Sequence, residues 1–135
     1  MDVIAIIGRI VFVLIFLSSG VNHLMNTSAM AGYAESKQIP AARAAVIASG
    51  LWILVGALLV LLGVWGDLGT LMLFVFLLAT AALFHGFWTE ADPAMRQNEM
   101  LHFLKDVSLA GASLLAFVLY SEEAIGPTIT GPLFG

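Results

Sequence analysis

The chain has 135 residues, 61% of them hydrophobic and only 10% charged, with a mean hydropathy of +1.02. A soluble domain carries about 25% charged residues, so there is too little polar side chain here to cover a globular surface in water. Lipid must be the solvent for much of the chain, and the length allows one domain. Cysteine is absent, which excludes disulfides, thiolate metal sites and any thiol–disulfide relay within the chain. A net charge of −4 without a basic cluster argues against nucleic acid and against a polybasic membrane anchor.

About 20 mostly apolar residues are needed to cross the hydrocarbon core as a helix. Four segments meet that length, Val3–Met25, Ala41–Trp65, Leu68–Trp88 and Met100–Tyr120, and they predict an all-α bundle of four transmembrane helices over residues 1–121. Asp2 stands where a secretory signal would carry cations, and no A-x-A site follows, so the first segment is expected to stay in the protein. The connection from Asn26 to Pro40 reads as a short interfacial helix. Thr27 or Ser28 is its cap, Met30, Tyr33 and Ala34 share one face, and Pro40 resets the backbone. The brief Trp65-Gly66-Asp67 link makes the second and third spans antiparallel neighbours. Asp92-Pro93 is an N-cap followed by proline at the first helical position, so the fourth helix should begin there, outside the membrane. Residues 122–135, with Gly126, Pro127, Gly131 and Pro132, are expected to form an extended tail.

Two spans cannot be built without charge. Val107–Tyr120 is too short to cross alone, which draws Lys105 and Asp106 into the fourth helix, and the first span needs Arg9 about two turns in. An ionised group costs about 2.5–3.5 kcal/mol at the centre of a membrane helix and less near its ends. These groups should therefore face other helices or a wet pocket, unless Arg9 and Lys105 snorkel to the surface.

Four antiparallel crossings sort the polar residues onto two faces. One face collects Asn22, His23, Tyr33, Glu35, Lys37, Arg43, His85, Trp88, Glu90, Asp92, Arg96, Glu99, His102, Lys105 and Asp106, and with them every histidine of the chain. The other holds Asp2, Arg9, Asp67, Glu122 and Glu123. Lys37, Arg43, Arg96 and Lys105 against Arg9 alone places the histidine face in the cytoplasm by the positive-inside rule.

On the histidine face, Glu99, His102 and Asp106 have helical spacings of three and four, which lets His102 bond Asp106 one turn on. A carboxylate beside an imidazole fixes its tautomer and suits proton exchange. The alternative is that Asp106 pairs with Lys105 or another helix while His102 lies among headgroups. His85 with Trp88, and Asn22 with His23, are two further clusters. Convergence of the first, third and fourth helices would let His23, His85, Lys105 and Asp106 line one small pocket, against the plainer reading of Trp and Tyr as interfacial anchors. No metal or haem site is expected, because Glu99-x-x-His102 occurs once, without the second copy a di-metal centre needs. Small residues repeat at intervals of four, at Ser108, Ala112 and Ala116 and at Ala45 and Ser49. Such stripes let membrane helices approach closely, and they are expected to face the bundle interior rather than a partner.

Several of these pieces together resemble the DoxX family of small membrane proteins. They are Gly8-Arg9, Gly20 followed by Asn22-His23-Leu24, Gly32-Tyr33 leading to Ile39-Pro40, and Leu61-Leu62-Gly63. His85-Gly86-Phe87-Trp88, His102-Phe103-Leu104-Lys105 and Ala110-Gly111-Ala112 complete the set, which spans Gly8 to about Phe117. The resemblance implies a four-helix bundle in the bacterial inner membrane, not catalytic on its own, serving as a small subunit of a quinone-linked redox complex. The pocket of Asn22, His23, His85, Trp88, His102, Lys105 and Asp106 would then hold a quinone or lipid head. The alternative is an accessory subunit that docks a protein partner without a ligand. The chain departs from the family in lacking an acid in the second span, between Arg43 and Asp67, and in having Asp106 where asparagine is common. A proton or ion role for that missing acid does not carry over.

Overall fold

The computed structural model describes residues 1–135 as five α-helices and one 3-10 turn. Helix α1 runs from Asp2 to Met25, α2 from Thr27 to Ser36, α3 from Ala42 to Leu62, α4 from Gly66 to Phe84 and α5 from Pro93 to Ser121, with the 3-10 turn at Phe87–Thr89. Four of the helices are long and apolar enough to span a membrane, and α2 is the short helix between the first two spans.

The helix ends follow local chemistry. The Asp92 carboxylate caps α5 by accepting from the Met95 N–H at 3.0 Å, with Pro93 at the first helical position, as its sequence predicts. At the other long connection the expected cap fails. Thr27 does not cap α2; its hydroxyl donates back to the carbonyls of His23 (2.8 Å) and Leu24 (3.0 Å), so α1 and α2 are separated by Asn26 alone. Helix α3 ends at Gly63 in the left-handed region (φ 64°), where the Gly63 and Val64 N–H groups return to the carbonyls of Val60 and Leu59.

Along the bundle α1 packs on α3, α3 on α4 and α4 on α5, while α2 folds against α3. The backbones of α1 and α5 hardly approach each other. The core between the four spans is built from Val13, Phe16, Ile53, Ala57, Val60, Leu73, Leu77, Ala110 and Tyr120. Two helix pairs meet at glycines. A Cβ on Gly50 would lie 2.7 Å from the His23 Cβ, and one on Gly69 would lie 2.8 Å from the Gly56 carbonyl oxygen. In lipid no hydrophobic force draws helices together, so such close approach supplies the dispersion contacts that hold them.

The small-residue stripe on α5 corrects the sequence expectation. Ser108 and Ala112 are exposed, and the inward face carries Asp106, Ala110, Ser113 and Tyr120 instead. A spacing of four defines a face without saying which way it points; burial of Asp106 sets the phase.

The end of the bundle opposite the histidines is closed by residues 122–135. This tail forms neither helix nor strand and folds back across the helix ends. The guanidinium Nη2 of Arg9, a buried residue, donates to the carbonyls of Pro127 (2.8 Å) and Gly126 (3.2 Å). The Gly63 carbonyl accepts from Ile129 and Thr130 N–H, and the Trp65 N–H donates to the Thr130 hydroxyl. Asp67, fully buried in the first turn of α4, accepts through Oδ2 from the N–H groups of Leu133 (2.8 Å) and Phe134 (2.6 Å). Arg9 thus faces protein rather than snorkelling.

Candidate functional site

Three helices deliver the site residues at the histidine end. His23 occupies the last turn of α1 and is buried. Its Nδ1 lies 3.2 Å from the Val46 carbonyl and 3.0 Å from the Ser49 hydroxyl on α3. A carbonyl only accepts, so Nδ1 carries a proton, and in the neutral ring Nε2 is left as the free acceptor.

His85 follows the last residue of α4, where the backbone leaves helical geometry. Its ring reaches α5 and sits between two carboxylates. Nδ1 is 2.7 Å from Glu99 Oε2, and Nε2 is 3.7 Å from Asp106 Oδ2. Residues seven apart on a helix lie two turns apart on one face, which is why a single imidazole can address both. Asp106 is buried, its Oδ1 lies 3.4 Å from Lys105 Nζ, and its Oδ2 lacks a hydrogen-bond partner. The Lys105 side chain is itself 43% exposed.

The expected His102–Asp106 bond is absent. His102 shares the predicted face with Glu99 and Asp106, but its ring stacks on His85, with centroids 5.0 Å apart and planes at 21°. His85, arriving from α4, takes the place between the two acids that helix spacing alone offered to His102.

Two adjoining cavities meet at these side chains. The larger, about 340 Å³, lies between α2, α3 and α4 and is mainly apolar, with Tyr33, Ser49, Thr80 and the two histidines as its polar points. The smaller, about 180 Å³, fills the loose seam where α1 faces α4 and α5, and there His23, His85, Lys105 and Asp106 come together with Ser19 and Thr80. His23, Phe76, Thr80 and His85 line both. Burial and the nearby Glu99 charge push the Tyr33 phenol above its ordinary pKa, so it remains a hydrogen-bond donor at neutral pH.

Asn22 and Trp88 fall outside this arrangement. Asn22 is exposed and bonds locally, accepting from Asn26 one turn on and donating to the sulfur of Met30 on α2. Trp88 is 56% exposed and packs edge-on against Phe87 and Phe103, the posture of an interfacial anchor. Phe76 and Thr80 were not singled out by sequence, and Ser49 only as part of a packing stripe. Thr80 had a signal, since it interrupts the apolar run Leu71–Phe84 five residues before His85. Ser49 had none, because its partner His23 lies on another helix.

Four apolar crossings with buried ionisable groups at both ends define a small polytopic α-helical membrane protein in contact with lipid. The chain belongs to the DoxX family, whose model matches residues 4–86, the first three spans and their connections. It is 32% identical over 113 residues to the inner membrane protein YphA of Escherichia coli (strain K12), an alignment covering 84% of this chain and 80% of that protein. No solved structure matches the chain significantly. The protein is a multi-pass inner-membrane protein.

Proposed function

We propose that this DoxX protein is a small subunit of a quinone-linked membrane redox complex and holds a quinone head between His23 and His85. The observation that carries this reading is the shared wall: two imidazoles, Phe76 and Thr80 belong to both cavities at once. Small-molecule sites occupy about 300–1,000 Å³ and are apolar with a few convergent polar groups. The larger cavity, about 340 Å³, has that size and lining, and a flat ring suits its aromatic side while an isoprenoid tail stays in lipid. A bound quinone would supply two-electron, two-proton chemistry. The chain's own residues bind and orient: Tyr33 donates to a carbonyl oxygen, His23 Nε2 accepts from a hydroxyl, and His85 holds a proton against Glu99.

The test is retention. Protein purified from native membranes in mild detergent is expected to carry lipid-soluble quinone, quantified by extraction. Loss of one hydrogen-bonding partner costs about 1–1.5 kcal/mol, roughly a tenfold weaker hold, so His85→Ala and His23→Ala should each release most of it. Wild-type quinone content in both folded variants would end this reading.

The outward Ser108–Ala112 stripe favours a second reading, an accessory subunit whose α5 docks a partner helix. It predicts that Ala112→Leu, which fills the groove beside Gly111, strips a co-purifying membrane chain and leaves quinone content unchanged. A partner retained by that variant counts against it.

A further inference from the structure

We infer that Glu99, His85 and Asp106 form a proton relay from the water at the histidine face into the crevice between α1 and α5. This deepens the reading above by assigning the route for protons, yet its test does not depend on which molecule occupies the cavities.

The relay rests on geometry. Glu99 is half-buried at the outer end and in contact with His85 Nδ1 at 2.7 Å. Asp106 is buried two turns deeper on α5 and lines the smaller cavity. Its Oδ2 has no hydrogen-bond partner, and His85 Nε2 stands 3.7 Å from it. That gap is slightly longer than a hydrogen bond, and a small rotation of either side chain closes it. An unpartnered buried carboxylate oxygen is costly, so its persistence at this place needs a role, and receiving a proton is one that a carboxylate performs.

The transfer conserves protons and charge. Glu99, protonated from water, passes its proton to His85 Nδ1; the ring gives up its Nε2 proton to Asp106 Oδ2. Glu99 is then a carboxylate, Asp106 a carboxylic acid, and the imidazole its other tautomer; the starting tautomer returns when water protonates Nε2 and takes up the Nδ1 proton. Imidazole can run this sequence because its two nitrogens exchange donor and acceptor roles. The charged or titratable groups facing His85 and the two acids are His102 and Lys105 on α5, His23 on α1 and Tyr33 on α2. His102, stacked on the His85 ring, positions it; Lys105 stabilises Asp106 as the anion between transfers.

The full chain in lipid nanodiscs, studied by infrared difference spectroscopy, tests the relay. Acidifying the sample should raise a carboxylic-acid band that Asp106→Asn removes. On transfer to heavy water that band should shift promptly in the wild-type protein. In His85→Gln, and separately in Glu99→Gln, its exchange should slow by at least about tenfold, the lower range of what a positioned acid–base group contributes. Replacing Glu35 by Gln, an exposed position on α2 that lines neither cavity, should leave the exchange rate unchanged. The relay is overturned if no band depends on Asp106, or if either glutamine variant exchanges at the wild-type rate. Should His85→Gln not fold, the Glu99→Gln rate decides alone. Wild-type protein that carries no quinone yet shows the expected exchange would overturn the ligand and keep the relay.

Discussion

Asp67→Ala is expected to detach the C-terminal tail from the bundle. The Asp67 side chain is fully buried and its Oδ2 receives two backbone N–H groups, from Leu133 and Phe134, at 2.8 and 2.6 Å. Hydrogen bonds to a charged acceptor contribute about 1.5–3 kcal/mol each. Alanine removes the shared acceptor and leaves two amide groups that are satisfied only if the tail lifts into water, so the expected loss is about 3 kcal/mol. The measurement is limited proteolysis with mass analysis: new cleavage after Ser121 should appear in Asp67→Ala, accompanied by a lower unfolding temperature in detergent. Asp67→Asn keeps one acceptor oxygen and should fall between. A cleavage pattern and midpoint identical to wild type in the alanine variant would show that the Arg9 and Gly63 contacts hold the tail unaided.

Gly69→Leu should produce the largest loss of stability of any single change on the lipid-spanning helices. A Cβ at Gly69 would stand 2.8 Å from both the Gly56 carbonyl oxygen and the Leu59 Cβ. The obstacle is backbone on the facing helix, which has no rotamer with which to yield, so α3 and α4 must separate. Overpacking costs about 1–3 kcal/mol in ordinary cores, and separation here adds the dispersion contacts forfeited along the α3–α4 seam. A fall of about 10 °C in the unfolding midpoint is expected, against little change for Gly8→Leu, where nothing lies within 4 Å of the added atom. Equal midpoints for the two leucine variants would refute the glycine seam as a structural requirement.

Much of the fold was written in hydropathy. Four apolar runs, the Asp92-Pro93 start signal and the short turn before Asp67 specify the helices and their antiparallel order, because span length and end chemistry are local properties. What escaped is set by contacts between helices. The Gly20–Gly50 and Gly56–Gly69 approaches carry no periodic mark, and the Ser108–Ala112 repeat carries one that points outward. The candidate site shows the same division. Crossing parity brings His23, His85, Lys105 and Asp106 to one end, but which imidazole stands between Glu99 and Asp106 depends on how far α4 runs before it breaks, and it breaks at Phe84, just short of His85. The role of Asp67 escaped for a similar reason: its partners are backbone amides of a segment whose sequence gives no hint that it returns to the bundle.

The anchoring of residues 122–135 gives the molecule a polarity that its fourfold crossing does not. With Arg9 and Asp67 committed to tail backbone, and Tyr120 bonded to the Val60 carbonyl beneath them, one mouth of the barrel-like interior is stoppered. The cavities beside His23 and His85 lie at the end away from this closure. In shape the protein is a cup rather than a conduit.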